Sequence, residues 1–349
     1  MVLISALVSG AVAGGVTLAV LHSQSRTNPQ TVDLGSHVTL SEDSAAVQVA
    51  GKALPAVVSV LAHDSAAPGA FGSGFLVTSD GYVVTNTAVI ANSAALAVFV
   101  QGDARRHDAR VVDFDCQTGL AMLKIDGVSG LPTLAFADSS GAKVGQAVVA
   151  LGGPLGDHNA VKGVLSGVRR AATVADPVDA SREQRFSNTM RMDGYMDPAL
   201  SGGPLLDIGG RVIGLQLSST LRSAPVALAL SSNDLQPDVE QVAQTGQISV
   251  PALNMDSVDL DDAAAALMGL RPGTLVRSVQ PGGAAERSGL KEGDLITQVD
   301  DLKLDAGHPL GQVLRARYKA GQRVALTVLR NGSASQLQAT LAAEHPVCA

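Results

Sequence analysis

The stretch Ala199-Leu200-Ser201-Gly202-Gly203-Pro204-Leu205 places a hydroxyl directly ahead of two glycines and a proline. Glycine permits positive φ and close backbone approach, and proline cannot extend what precedes it. The run therefore suits a tight turn that holds Ser201 at a cleft. The same four residues, Ser-Gly-Gly-Pro, also fit any glycine-rich turn, with Ser201 retained only because it turns well. The flanking segments decide between these readings.

Upstream, short apolar runs recur between turn signals. Ala56 to Leu61 and Gly72 to Val77 read as strands, and Asp80-Gly81 is a hairpin turn leading into Tyr82 to Thr85. Leu96 to Val100, Ala109 to Asp113 and Leu120 to Ile125 continue the series. A second set follows at Ala147 to Leu151, Gly163 to Val168, Ser187 to Met192, Arg211 to Leu217 and Val226 to Leu230. Strands at this spacing without intervening helices predict two small antiparallel barrels, divided near residues 138–145. Composition agrees. Aromatic residues are only 3% of the 349, with 37 glycines and no tryptophan, so β-branched and aliphatic side chains must fill the cores.

Beyond Asn233-Asp234-Leu235 a polar, helix-like connector runs to Gly246, and a different unit follows. Leu260 to Leu270 reads as an Ala-rich helix and Thr274 to Val279 as a strand. Pro281-Gly282-Gly283 opens a short helix, and Leu295 to Val299 is a strand. A helix over about 309 to 318 and two strands around Asn331-Gly332 complete the unit.

In this order, Gly72-Ser73-Gly74-Phe75, Asp80-Gly81-Tyr82-Val83-Val84-Thr85-Asn86 and Ser201-Gly202-Gly203-Pro204-Leu205 resemble the trypsin-like domain of the HtrA/Deg family. Pro281-Gly282-Gly283-Ala284-Ala285 and Gly293-Asp294-Leu295-Ile296 resemble its PDZ domain. The resemblance implies a mainly β architecture: a chymotrypsin-like double β-barrel over 41–236, a connector at 237–247 and a PDZ domain over 248–345. In that family a serine attacks the peptide carbonyl, a histidine takes its proton and an aspartate orients the histidine. Ser201 stands at the nucleophile position, but Ala88 occupies the histidine position and Gly119 the aspartate position. Ala199 replaces the glycine of the oxyanion loop, and a non-glycine residue held left-handed there costs about 1–2 kcal/mol.

The expectation is a peptide-binding pseudoprotease. The competing one is an active serine endopeptidase that uses Ser201 with a non-standard base, a relocated histidine or Lys162. For the PDZ domain, the family's carboxylate-binding loop is assigned to Ile248-Ser249-Val250, and polypeptide segments or C-termini are the implied partners. The resemblance further implies a homo-trimer and no metal or other cofactor. A net charge of −7 argues against a nucleic-acid partner.

Val2 to Leu21 is an uncharged apolar run of membrane-spanning length, about 20 residues, read as an uncleaved anchor, with a cleaved signal peptide as the alternative and 23–40 as a linker. The bulk of the chain is then extracytoplasmic, periplasmic or on the cell surface. Cys116 and Cys348 match no metal-ligand spacing and read as two separate thiols, with a disulfide in an oxidising compartment as the other option.

Overall fold

The fold is drawn from a computed structural model. It describes residues 41–63, 70–91, 93–103, 105–153, 159–175, 183–193, 197–221, 224–305 and 308–346. The apolar run at 2–21 lies outside these residues, and among the described residues no helix is long and apolar enough to cross a membrane.

Helix α1 (Ser41–Ala53) leads into a closed barrel. Its strands are β1 (Val57–His63), β2 (Ala70–Leu76), β3 (Tyr82–Asn86), β4 (Ala95–Val100), β5 (His107–Asp115) and β6 (Leu120–Ile125), and the short helix α2 (Thr87–Ile90) follows β3. The second closed barrel contains β7 (Ala147–Gly152), β8 (Asn159–Ala175), β9 (Glu183–Met192), β10 (Pro204–Asp207), β11 (Val212–Leu221) and β12 (Ala224–Ser231).

The period-2 alternation of a strand divides its side chains between two cores. Val83, Leu123 and Ile125 fill the first barrel with Val58 and Val60. Their neighbours Val84 and Met122 point the other way, into a seam shared with Leu151, Leu206, Leu215 and Leu230 of the second barrel. Leu205 returns to the second barrel's own interior, beside Val148, Leu165 and Ile213. A strand buried on both faces reads as an unbroken apolar run, which is how Leu120 to Leu123 appears in the sequence. The serine turn sits in this seam.

Helix α3 (Ser232–Thr245) ends at Gly246, whose φ of 79° places it in the left-handed region with its N–H on Val242 O. The helix packs Leu235, Val239 and Val242 into the seam. The expected connector at 237–247 is thus the end of a helix packed on the barrels.

The last unit comprises β13 (Val250–Ala252), β14 (Met255–Leu260), helix α4 (Asp262–Leu267), β15 (Gly273–Val279), helix α5 (Ala284–Ser288), β16 (Leu295–Val299), β17 (Leu302–Lys303), helix α6 (Leu310–Arg317), β18 (Arg323–Arg330), β19 (Ser333–Thr340) and β20 (Ala342–Glu344). Its main sheet runs β14-β15-β16-β18-β19, with β13 and β20 paired separately. Val276, Ile296, Val299 and Leu326 form its core with Leu310 and Leu314 of α6. The helix expected over 260 to 270 is shorter, because β14 takes its first residue and Asp261 caps α4 by accepting the Ala264 N–H at 2.8 Å.

The reading of two separate thiols is corrected. Cys116 is disulfide-bonded, and Cys348, the chain's other cysteine, lies outside the described residues. One contact joins the segment after β20 to β5 near that site, His345 Nε2 lying 2.7 Å from Asp113 Oδ1, and Asp113 Oδ2 also accepts the N–H of Ile248, ahead of β13, at 2.5 Å.

Candidate functional site

Asp197 to Gly203 form a closed network. Pro198–Leu200 is one turn of 3₁₀ helix capped by Asp197, whose Oδ1 accepts the Ala199 N–H at 2.9 Å. The Ser201 N–H donates to Pro198 O at 3.0 Å. The backbone donor at Ala199, which the family resemblance places in the oxyanion loop, and the N–H of Ser201 are therefore both spent inside the turn. Ala199 is not among the positive-φ residues, so its backbone avoids the left-handed strain.

The turn is also tied from outside. Ser73 N–H donates to Ser201 O at 2.7 Å, and Ser73 Oγ donates to Ala199 O at 2.7 Å. Gly202 N–H reaches Gln216 O at 2.9 Å, and Gln216 N–H returns to Gly203 O at 2.9 Å. Gly202 has φ 84°, and a Cβ on it would collide with Ser73 O and Thr85 Oγ1. Only glycine satisfies both constraints.

The Ser201 hydroxyl is buried, 6% exposed, and accepts a hydrogen bond from Asn86 Nδ2 at 2.8 Å. The same amide donates to Gln216 O at 2.8 Å, while Asn86 Oδ1 accepts the Val89 N–H at 3.0 Å. These partners fix the amide orientation, with nitrogen towards the serine. An amide nitrogen donates and cannot take a proton from a hydroxyl, so Asn86 holds Ser201 without activating it.

Ala88, at the position the resemblance gives to histidine, is exposed on α2. Gly119, at the aspartate position, is buried with φ 73°, and its carbonyl accepts the Thr87 N–H at 2.9 Å. A Cβ there would lie 2.8 Å from Leu230 Cδ1 and 3.0 Å from Phe186 Cε1. Apolar packing has closed over the place where a carboxylate would stand. Three histidines pair with aspartates outside this turn: His107 with Asp103, His308 with Asp305 and His345 with Asp113. The side chains of His63 and His158 lie outside the described residues.

The segment Ile248-Ser249-Val250, expected to be the peptide loop, is packed between the barrels, α3 and β20. Ile248 is 1% exposed and belongs to the seam between the barrels and α3. Ser249 N–H is held by Gln241 Oε1 at 2.8 Å, and Val250 pairs with Glu344. The residues that lead into β14 are Leu253 and Asn254. Asn254 has φ 56°, a left-handed conformation that asparagine tolerates, and Leu253 is buried in the PDZ core. Sequence reasoning took the nearest hydrophobic-x-hydrophobic triplet. Leu253-Asn254-Met255 has the same pattern immediately before the strand.

β14 is an edge strand that pairs only with β15 among the described residues, and Asp256 to Asp259 on it are exposed. It faces a cleft of about 910 Å³ between the PDZ unit and the second barrel, lined by the end of β14, by α6 and by residues of β9 and α3.

A buried ion cluster holds the seam between the two units. Arg315 of α6 reaches Asp115 of β5 and, at 2.7 Å, Asp238 of α3. Asp115 also accepts from Gln117 N–H and Thr118 Oγ1. Burial pushes the Asp238 carboxyl up to about 6, with the Asp115 charge adding to the rise and Arg315 opposing it.

Residues 72–215 match the trypsin-like peptidase domain family and residues 251–341 the PDZ domain family. Serine protease Do-like HtrB of Bacillus subtilis (strain 168) is 30% identical over 286 residues, covering 77% of this chain and 61% of the relative. A probable periplasmic serine endoprotease DegP-like of Halomonas elongata is 32% identical over 276 residues, covering 77% of this chain and 56% of the relative. The chain thus spans a little over half the length of these curated relatives. Among solved structures, the HtrA-type protease AlgW with decapeptide superposes with a TM-score of 0.68 at 25% identity, covering 86% of this chain and 99% of that one. The pairing of a trypsin-like double barrel with a PDZ domain, and the relatives that share both, place this chain in the HtrA family.

Proposed function

We propose that this chain is an extracytoplasmic pseudoprotease of the HtrA family that binds polypeptide segments through its PDZ domain, in protein quality control or stress signalling. One observation carries the reading. The N–H groups of Ala199 and Ser201 are spent within the turn, and the Ser201 hydroxyl accepts from an amide donor that cannot take its proton. Losing the base alone costs on the order of 10⁶ in kcat in a subtilisin-type protease. Here Ala88 and Gly119 stand where base and orienter would be, and the hole is closed as well.

Binding is supported by the unpaired edge of β14, since PDZ domains take a peptide as an added strand. The disulfide at Cys116 suits an oxidising, extracytoplasmic compartment. The apolar run at 2–21 would anchor the chain in the membrane, and a homo-trimer is the assembly the family resemblance suggests.

The test incubates the full chain with reduced, unfolded α-lactalbumin and follows both fragments and complexes over time. The expected result is a complex recovered by size exclusion with no fragment above the level of a Ser201→Ala control. Fragments that vanish in the control would establish an endopeptidase with a base outside the expected positions.

A further inference from the structure

The cleft beside β14 has two walls from two units. One is the end of β14 with α6; the other is the second barrel and α3. Four aspartates line it: Asp234 on α3, Asp259 and Asp261 at the end of β14, and Asp305 ahead of α6. Among the described residues, the cationic side chains on the same lining are Arg185 and Arg315, and Arg315 is already engaged by Asp115 and Asp238. Asp305 pairs with His308 at 2.9 Å, so Asp234, Asp259 and Asp261, set against Arg185, leave a net negative charge facing the space.

Asp259 is held in place, accepting from Thr274 Oγ1 at 2.5 Å and from the Leu310 N–H at 3.4 Å. Burial raises the pKa of Asp234, so a cation entering the cleft would relieve a carboxylate that water serves poorly. Gln312, also on the lining, buries a side-chain oxygen that has no hydrogen-bond partner among the described residues.

The spacing decides what kind of cation fits. Among the described residues no three His, Cys, Asp or Glu side chains gather closely enough to hold a metal ion. The carboxylates are spread over both walls, which suits an extended ligand carrying several cationic groups better than one compact ion. The unpaired edge of β14 offers that ligand a backbone ladder.

We infer that the cleft between the PDZ unit and the second barrel binds an extended, lysine- or arginine-bearing polypeptide segment, laid against the edge of β14 with its cationic side chains towards Asp234, Asp259 and Asp261. This rests on the peptide-binding reading above and adds the chemistry of the ligand. Contact with both walls would also make recognition depend on the docked arrangement of the two units, which an isolated PDZ domain would lack.

The experiment uses the full chain in non-ionic detergent and three fluorescein-labelled decapeptides that alternate valine with lysine, with glutamine or with glutamate. Fluorescence anisotropy gives each Kd at low and at physiological salt. The expected order is lysine tightest and glutamate weakest, with about tenfold between lysine and glutamine at low salt and a smaller gap at high salt. Asp259→Asn with Asp261→Asn should narrow the gap to within about threefold, because Asn keeps the α4 cap and removes both charges. Asp261→Asn alone, at an exposed position, gives a second variant should the pair not fold.

Equal binding of the lysine and glutamine probes, or tightest binding of glutamate, would overturn the cationic ligand and leave peptide binding standing. No binding of any probe at millimolar concentration would overturn both.

Discussion

The serine turn and the β14 edge are opposites in how their polar groups are used. At the turn, the hydroxyl of Ser201 and the N–H groups of Ala199, Ser201, Gly202 and Gly203 all have protein partners. At β14, one edge of the strand is unpaired among the described residues and its middle residues are exposed. A catalytic site must keep donors open for charge that develops during reaction, and a binding edge must keep them open for a ligand's backbone. In this chain the open groups lie at β14 and the closed ones at Ser201. The proposed function follows from this contrast, with a protease fold kept and recognition placed at the PDZ unit.

The sharpest way to break that contrast is to disturb the closed turn. Gly202→Ala forces a left-handed alanine into contact with Ser73 O and Thr85 Oγ1. Backbone strain and overpacking together should cost about 3–5 kcal/mol, read as a lower urea midpoint at unchanged m-value.

Next comes restoration of the missing partners. Gly119→Asp meets both the positive φ and the packed Leu230 and Phe186 side chains. It should cost about 2–4 kcal/mol, and Ala88→His with Gly119→Asp should produce no turnover of an unfolded substrate above the Ser201→Ala background. Turnover from the double variant would mean the turn reopens readily.

At the seam, Asp238 supplies a pH signature. Its folded pKa of about 6 lies above the ordinary carboxylate value, so between about pH 4 and 6 the folded protein binds a proton the unfolded chain has released. The stability this group contributes is full below about pH 4 and is lost as pH rises through about 6, up to about 3 kcal/mol in all. Asp238→Asn should flatten that part of the stability–pH curve, measured by urea titration at half-unit intervals.

The smallest effect is expected at the serine itself. Ser201→Ala removes one acceptor from Asn86 Nδ2, which keeps Gln216 O, so about 1 kcal/mol is lost and peptide binding is unchanged.

Legibility in the sequence tracks the same contrast. The barrel strands were readable because turn signals such as Asp80-Gly81 bracket apolar runs, and the end of α3 because Gly246 closes it in the left-handed region. β10 was hidden inside the serine motif, since Pro204 to Asp207 gains its strand character from β7 and β11 on either side. β14 was missed for a related reason. Met255 to Leu260 carries three acidic or hydroxyl-bearing neighbours of low strand propensity and is drawn into the sheet by β15. Without that strand in the reading, the expected peptide loop was set at Ile248 to Val250, ahead of Leu253 and Asn254, which lead into β14. The positions of Ala88, Gly119 and Ala199 were legible, but the Asn86 and Asp197 bonds were not, because both cross long stretches or depend on the local turn geometry. The ion cluster around Arg315 joins residues far apart in the chain, and no local pattern announces it.

The most direct measurement is labelling of the folded full chain with a fluorophosphonate, read at Ser201 by peptide mass spectrometry against a Ser201→Ala control. A hydroxyl that accepts from Asn86, with Ala88 and Gly119 at the positions of base and orienter and the Ala199 and Ser201 N–H groups bonded within the turn, should remain unlabelled under conditions that label an active HtrA protease completely. Stoichiometric modification of Ser201 would show that the hydroxyl is activated, and the pseudoprotease account would fall.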